Sequence, residues 1–224
     1  MSRANSQVVL SNQSGVHPAL RRVVERHLDR HSNKPITQHT RDAFLHLQQC
    51  ISLNKLPLIL DAGCGNGVSS ARLAHAYPQH LIVGVDKSSH RLQSTARNLI
   101  PDNCILVRAE LEDFWRLAVD HHWQLEKHFI LYPNPWPKQR QLRRRWHGSA
   151  AFPLIPALGG ALELRTNWHN YALEFAAALH YAGHKCAVTP LSVVEPLTPF
   201  EAKYQASGHS LWRCSVDLSV SLEG

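Results

Sequence analysis

Leu58-Ile59-Leu60-Asp61-Ala62-Gly63-Cys64-Gly65-Asn66-Gly67 is the stretch on which the fold turns. A short, nearly all-apolar run ends in three glycines spaced G-x-G-x-G, and a helical pattern then continues to Tyr77, where Pro78 stops it. A strand of this kind is buried on both faces, and a glycine turn into a helix is how a parallel α/β unit begins. Glycines at that turn let the backbone reverse sharply and let a ligand approach where no Cβ stands in the way. The alternation persists downstream. Leu81–Val85 reads as a second strand, with Ser88 or Ser89 capping a helix through Leu99. Cys104–Val107, Phe129–Leu131 and Ala161–Leu164 are three more strands, and Tyr171–Ala182 is a helix closed by Gly183. At the end Trp212, Cys214, Val216, Leu218 and Val220 alternate with polar residues, the pattern of a half-buried antiparallel strand. The fold class is therefore α/β, a doubly wound and mostly parallel sheet with an antiparallel C-terminal edge.

Upstream, residues 1–19 are polar, broken by Gly15 and Pro18, and read as a loose arm. Leu20, Val23, Val24 and Leu28 recur at helical spacing, as do Phe44, Leu47 and Ile51, so two helices precede the sheet. The expected organisation is an arm with two helices over 1–54 and the main domain over 55–224. An apolar share of 44% excludes a disordered chain, and 24 Lys+Arg against 17 Asp+Glu give +7, a balance that favours a polyanionic partner. No apolar run approaches the ~18 residues of a membrane span, and the polar opening is no signal peptide. Five scattered cysteines, never spaced C-x-x-C, argue for a reducing cytoplasm and against a zinc knuckle. His27–His31 and His180–His184 have i,i+4 spacing, but neither pair has an evident third ligand, so no metal is expected.

Asp86 ends the second strand about 20 residues beyond the glycine loop, where a carboxylate can accept both ribose hydroxyls of a nucleoside. Glu110 follows the third strand at the same sheet edge. The glycine spacing is not the G-x-G-x-x-G of nicotinamide enzymes, and the acidic Asp61 before the first glycine suits a cationic ligand better than a pyrophosphate. These features resemble the S-adenosylmethionine (AdoMet) site of class I methyltransferases, which implies a seven-stranded, Rossmann-like sheet; the two helices read from periodicity form an N-terminal extension to it. On this resemblance Asp61, Gly63, Gly65, Gly67, Asp86 and Glu110 would hold the cofactor.

A second motif, Tyr132-Pro133-Asn134-Pro135-Trp136-Pro137-Lys138, follows the fourth strand. Its prolines stiffen a loop at the carboxyl end of a strand, where doubly wound sheets bind ligands. Beyond it Arg140, Arg143, Arg144 and Arg145 join Lys138 in a run of five cations without an acid. Such a run is either a solvated helix face or a phosphate-binding surface, and its place beside the cofactor loop favours phosphates. Arg165-Thr166-Asn167-Trp168 and Tyr171 lie beyond the fifth strand. Thr198-Pro199-Phe200-Glu201 opens a helix, with Thr198 as an N-cap candidate and Glu201 closing a capping box. Trp146 and His147 can stack on a base or pack in the core.

Taken in order, D-A-G-C-G-N-G, P-N-P-W-P-K with R-R-R, T-N-W-x-x-Y and T-P-F-E-A-K resemble the bacterial tRNA (guanine-N7-)-methyltransferases over roughly residues 55–218. The resemblance implies AdoMet-dependent methylation of a variable-loop guanine in tRNA; a cytoplasmic monomer or weak homodimer is the expected form. The guanosine and its RNA would be held by Lys138, Asn167, Tyr171, Thr198 and Glu201, with Arg143, Arg144 and Arg145. Asn134 occupies the place of the residue treated as catalytic in that family, and would also face the cofactor. The family usually has Asp at the places of Asn134 and Asn167. A carboxylate can accept both guanine donors, N1–H and the exocyclic amine, whereas a carboxamide accepts only one. Two alternatives therefore stay open: an AdoMet-dependent enzyme acting on another RNA position or a small molecule, and a non-catalytic RNA-binding relative.

Overall fold

The computed structural model describes residues 6–30, 34–94 and 99–219. The first five residues of the polar opening, His31, residues 95–98 of the helix expected through Leu99, and Val220 lie outside the described residues. The elements run α1 (Leu20–Leu28), α2 (Gln38–Asn54), β1 (Leu58–Ala62), α3 (Val68–Ala76), β2 (Leu81–Asp86), α4 (Ser89–Gln93), β3 (Cys104–Arg108), α5 (Leu111–Asp120) and β4 (Leu125–Leu131). They continue with α6 (Leu154–Ala157), β5 (Ala161–Thr166), α7 (His169–Tyr181), β6 (Ala187–Pro190), α8 (Pro199–Ala206) and β7 (Trp212–Asp217).

The seven strands form one sheet in the order β3-β2-β1-β4-β5-β7-β6. β3, β2, β1, β4 and β5 are parallel, while β7 runs antiparallel between β5 and β6. β1 and β2 are buried at every position, as their unbroken apolar runs require. Alternate residues serve opposite faces: Leu58, Leu60 and Ala62 join the larger core, and Ile59 the smaller one with Leu73, Ile82 and Phe129.

The N-terminal helices share the larger core. Leu20, Val24 and Phe44 are fully buried there with Trp115, Phe152 and Phe175. The segment before α1 departs from the expected loose arm. Gln13 is buried; its side chain donates to Glu174 on α7, and its carbonyl accepts from Asn170 Nδ2 at 2.9 Å. Ser11 Oγ donates to the Pro137 carbonyl at 2.7 Å, and Asn12 Oδ1 accepts from Gln139 N at 3.0 Å. Polarity suggested looseness, but here polar side chains cross the surface to bond specific partners. β6 was not foreseen, being four residues long, partly exposed and ended by a proline.

Candidate active site

The parallel strands all discharge at one sheet edge, and the order reverses between β1 and β4, so a crevice opens between the loops that follow them. A cavity of about 860 Å³ lies there. One side is built by the loop after β1, by Asp86 at the end of β2, and by Glu110 after β3. Its other side is built by Asn134 and Trp136 after β4, Arg143 and Arg144, and Phe200 at the start of α8. One continuous space thus joins the two motifs.

Gly63 and Gly65 have φ of 84° and 62°, and a Cβ at either would point into open space. The glycines are needed for backbone conformation and for close approach of a ligand, not for packing. Gly67 differs, because a Cβ there would strike Leu106 at 2.6 Å. The amides of Gly63 and Cys64 bond the Val85 carbonyl at 2.8 and 3.0 Å, which ties the loop to β2. Asp86 accepts from Gly65 N at 3.0 Å and Ser88 N at 2.8 Å, and pairs with the half-exposed Arg91 at 3.1 Å. A carboxylate offers about four lone-pair positions, and only the Arg91 partner is half-exposed, so the buried Asp86 keeps positions open to ribose hydroxyls. Glu110 is seated by the Thr40 hydroxyl of α2, which accepts its amide at 3.0 Å. An open glycine cradle flanked by two carboxylates fits AdoMet.

Asp61 reaches this cavity only indirectly. It is buried behind the loop and accepts from Ser69 Oγ at 2.6 Å and Ser70 Oγ at 2.7 Å; Ser69, not Asp61, lines the cavity. Burial pushes its carboxyl up to about 6, against the pull of the two serine hydroxyls and with a push from Asp86. The Cys64 thiol is likewise pushed up by burial and by those carboxylates, so it remains a protonated wall of the loop.

Several residues assigned to RNA or guanosine stand elsewhere. Arg143 and Arg144 are exposed at the cavity, with the Arg144 guanidinium 4.8 Å from the Trp136 ring centre. Arg145, by contrast, is fully buried, so it offers no surface to a phosphate. It pairs with Glu174, whose carboxyl is raised by burial but lowered further by His147, Arg145 and Gln13, to about 2. His147 belongs to this buried cluster, whereas Trp146 is half-buried at the cavity. Tyr171 backs the cavity wall without exposed surface, and its hydroxyl accepts from Trp146 N at 3.2 Å. Lys138 faces a separate groove with His17 and Arg140. Asn167 Nδ2 bonds His209 Nδ1 at 3.1 Å and is not among the cavity's lining residues.

Glu201 is fully buried and spent on the protein. It accepts from the Tyr132 hydroxyl at 2.7 Å, from Arg165 at 3.0 and 3.2 Å, and from Leu197 N. Thr198 does cap α8, its Oγ1 accepting from Glu201 N at 2.9 Å. Of this motif Thr198, Pro199 and Phe200 line the cavity, and Phe200 is 54% exposed. Sequence reading passed over it and Arg91. A bulky aromatic beside an N-cap was the available signal for Phe200, and a cation five residues after Asp86 was the signal for Arg91.

Among the described residues no group of three or more metal-ligating side chains occurs, and no helix is long and apolar enough to cross a membrane. A doubly wound seven-stranded sheet with an antiparallel last pair, a glycine cradle after β1 and an acid ending β2 defines a class I, AdoMet-dependent methyltransferase. The chain belongs to the family described as "Putative methyltransferase", whose model matches residues 55–214. Similar curated proteins include the tRNA (guanine-N(7)-)-methyltransferase of Nitrosococcus oceani, 29% identical over 170 residues that cover 72% of each chain. That of Shewanella frigidimarina is 27% identical over 175 residues, 69% of each. Among solved structures, the 16S rRNA methyltransferase KamB superposes with a TM-score of 0.59 at 18% identity, covering 84% of this chain and 95% of that one. A 16S rRNA (adenine(1408)-N(1))-methyltransferase variant from Catenulisporales acidiphilia, solved with its cosubstrate SAM, gives 0.53 at 16% identity over 79% and 91%. At these identities the structural likeness speaks for the fold.

Proposed function

We propose that this chain transfers the methyl group of AdoMet to N7 of a guanine in tRNA, the variable-loop guanine on the family resemblance. The observation that carries the reading is the single cavity with a glycine and carboxylate cradle at one side and aromatic and cationic groups at the other. The similar curated proteins, all of that activity by name, support it.

Bound in the cradle, AdoMet supplies a methyl group on a positive sulfur. Asp86 and Glu110 hold its nucleoside, and the open faces of Gly63 and Gly65 admit its remainder. Guanine N7 carries an in-plane lone pair and no proton, so the reaction needs no general base and the protein contributes mainly by alignment. Asn134 orients the base from the loop after β4. Trp136 and Phe200 offer aromatic faces at the cavity, and base–aromatic stacking is worth about 1–3 kcal/mol. Arg143 and Arg144 neutralise flanking phosphates without reading sequence. Glu201 acts by holding Tyr132 and Arg165 in place, and Asp61 by holding Ser69. A monomer or weak homodimer is the expected form, and a tRNA acceptor puts the reaction in the cytoplasm.

The test is incubation of the purified protein with labelled AdoMet and unmodified bulk tRNA, followed by nucleoside mass spectrometry. A 7-methylguanosine peak supports the reading. Methyl transfer to another nucleoside, or none despite cofactor binding in calorimetry, refutes it.

A further inference from the structure

The loop after β4 holds two non-glycine residues in the left-handed region, Tyr132 at φ 52° and Trp136 at φ 46°. Bulky residues keep such conformations only where their surroundings over-determine them. For Tyr132 the surroundings are Glu201, at its hydroxyl, and the Arg165 carbonyl, which accepts its amide at 2.8 Å. For Trp136 they are Arg145. Arg145 Nε and Nη2 both donate to the Trp136 carbonyl, at 3.2 and 3.1 Å, and Nη2 also donates to the Lys138 carbonyl at 3.2 Å. Nη1 donates to Glu174 Oε2 and, at 3.1 Å, to Gln13 Oε1. All five N–H bonds of the guanidinium are thereby used, and its flat face lies 4.9 Å from the Trp168 ring centre.

Its anchor is equally complete. Buried Glu174 accepts from Arg145, from Gln13 Nε2 at 2.6 Å and from His17 N at 2.9 Å, and bonds His147 Nε2 at 2.9 Å. The hub therefore joins three parts of the chain: the wall of the active-site cavity, α7, and the docked N-terminal segment.

We propose that Arg145 is a positioning residue for methyl transfer, fixing the Asn134–Trp136 wall through the Trp136 and Lys138 carbonyls, and that Gln13 couples the N-terminal segment to the same hub. The kinetic part of this inference rests on the tRNA reading above; the geometric part does not. Only a planar fork meets two carbonyls and a carboxylate at once, so lysine keeps the charge beside Glu174 but loses the grip on the loop.

The experiment compares wild type with Arg145→Lys in three readouts. One is the rate of tryptic cleavage after Lys138 and Arg140 in cofactor-free protein; the others are AdoMet affinity by calorimetry, and kcat with tRNA. The expected result is cleavage at least tenfold faster, kcat at least tenfold lower, and an AdoMet Kd within about threefold of wild type. Unchanged cleavage and kcat overturn the proposal. If Arg145→Lys does not fold, Gln13→Ala, which keeps the fork on Trp136, should shift cleavage and kcat about threefold in the same directions. A lower melting temperature in that variant with cleavage and kcat unchanged reduces the hub to a stability element and overturns the proposal. Wild type that methylates no tRNA refutes the substrate reading, and the cleavage rates then decide the positioning role alone.

Discussion

Replacing Asp61 with asparagine should make this protein more stable at neutral pH, although the site is part of the cofactor loop's foundation. The carboxyl is 1% exposed and pushed from 3.8 up to about 6 by burial, despite two serine hydroxyls donating to it. For an acid whose folded pKa lies above its unfolded one, the stabilising contribution is full below pH 3.8 and is lost as pH rises through about 6. A shift of this size corresponds to about 3 kcal/mol. Asparagine does not titrate, and its oxygen can accept from Ser69 and Ser70 as Asp61 does. Its amide, however, introduces two donors into a buried place, which offsets part of the gain. That cost is the same at every pH, so Asp61→Asn is expected to gain about 2–3 kcal/mol over wild type at pH 8 relative to their difference at pH 4. Urea denaturation of both proteins at intervals from pH 4 to 8 measures this, and the subtraction cancels every other titrating group. Parallel curves across that range would refute the reasoning, meaning that the hydroxyls and the N-terminus of α3 already satisfy the charge. Because Ser69 rather than Asp61 lines the cavity, AdoMet affinity should fall less than in Asp86→Ala.

Asp86→Ala should itself weaken AdoMet binding at least tenfold while leaving tRNA binding within about twofold; equal loss of both would misplace the cofactor. Arg143→Ala with Arg144→Ala should lower the slope of log affinity for tRNA against log salt by about 1.5–2, which filter binding at 50–300 mM salt would read. Asn134→Asp should raise turnover on tRNA and tighten guanosine binding, since a hydrogen bond to a charged group is worth about 1.5–3 kcal/mol, or roughly 10- to 150-fold in affinity. A large fall in kcat would show that the site is built around the carboxamide. Glu174, with its pKa lowered from 4.5 to about 2, contributes stability that is full above pH 4.5 and lost as pH falls through 2. Glu174→Gln leaves Arg145 buried without its counter-charge and should cost about 3–5 kcal/mol at pH 7, with a smaller deficit at pH 3, by urea denaturation.

Much of the architecture was legible along the chain because it rests on local or periodic signals. Unbroken apolar runs marked β1 and β2, which are buried on both faces, and alternation marked β7, which borders the sheet's antiparallel end. The glycine loop, Asp86 and Glu110 were legible as neighbours, and they do line one cavity, because parallel strands deliver their carboxyl ends to one edge. Where the signal was short or half-exposed, as in β6, nothing in the residues distinguished a strand from a loop.

What the sequence by itself determined, then, was the sheet, the edge at which the cavity opens and the chemical kind of the cofactor. Only the tertiary structure decided which neighbours of like composition do which work. Arg143, Arg144 and Arg145 are the same residue three times over, yet two face the cavity mouth and the third is fully buried against Glu174, 29 residues further on. Glu201 and Phe200 stand side by side, and the acid turns inward to Arg165 while the aromatic faces the cavity. The physical reason is common to both cases. A side chain's direction is set by the local turn, but its burial is set by a partner distant in sequence, and no spacing rule records where that partner will be.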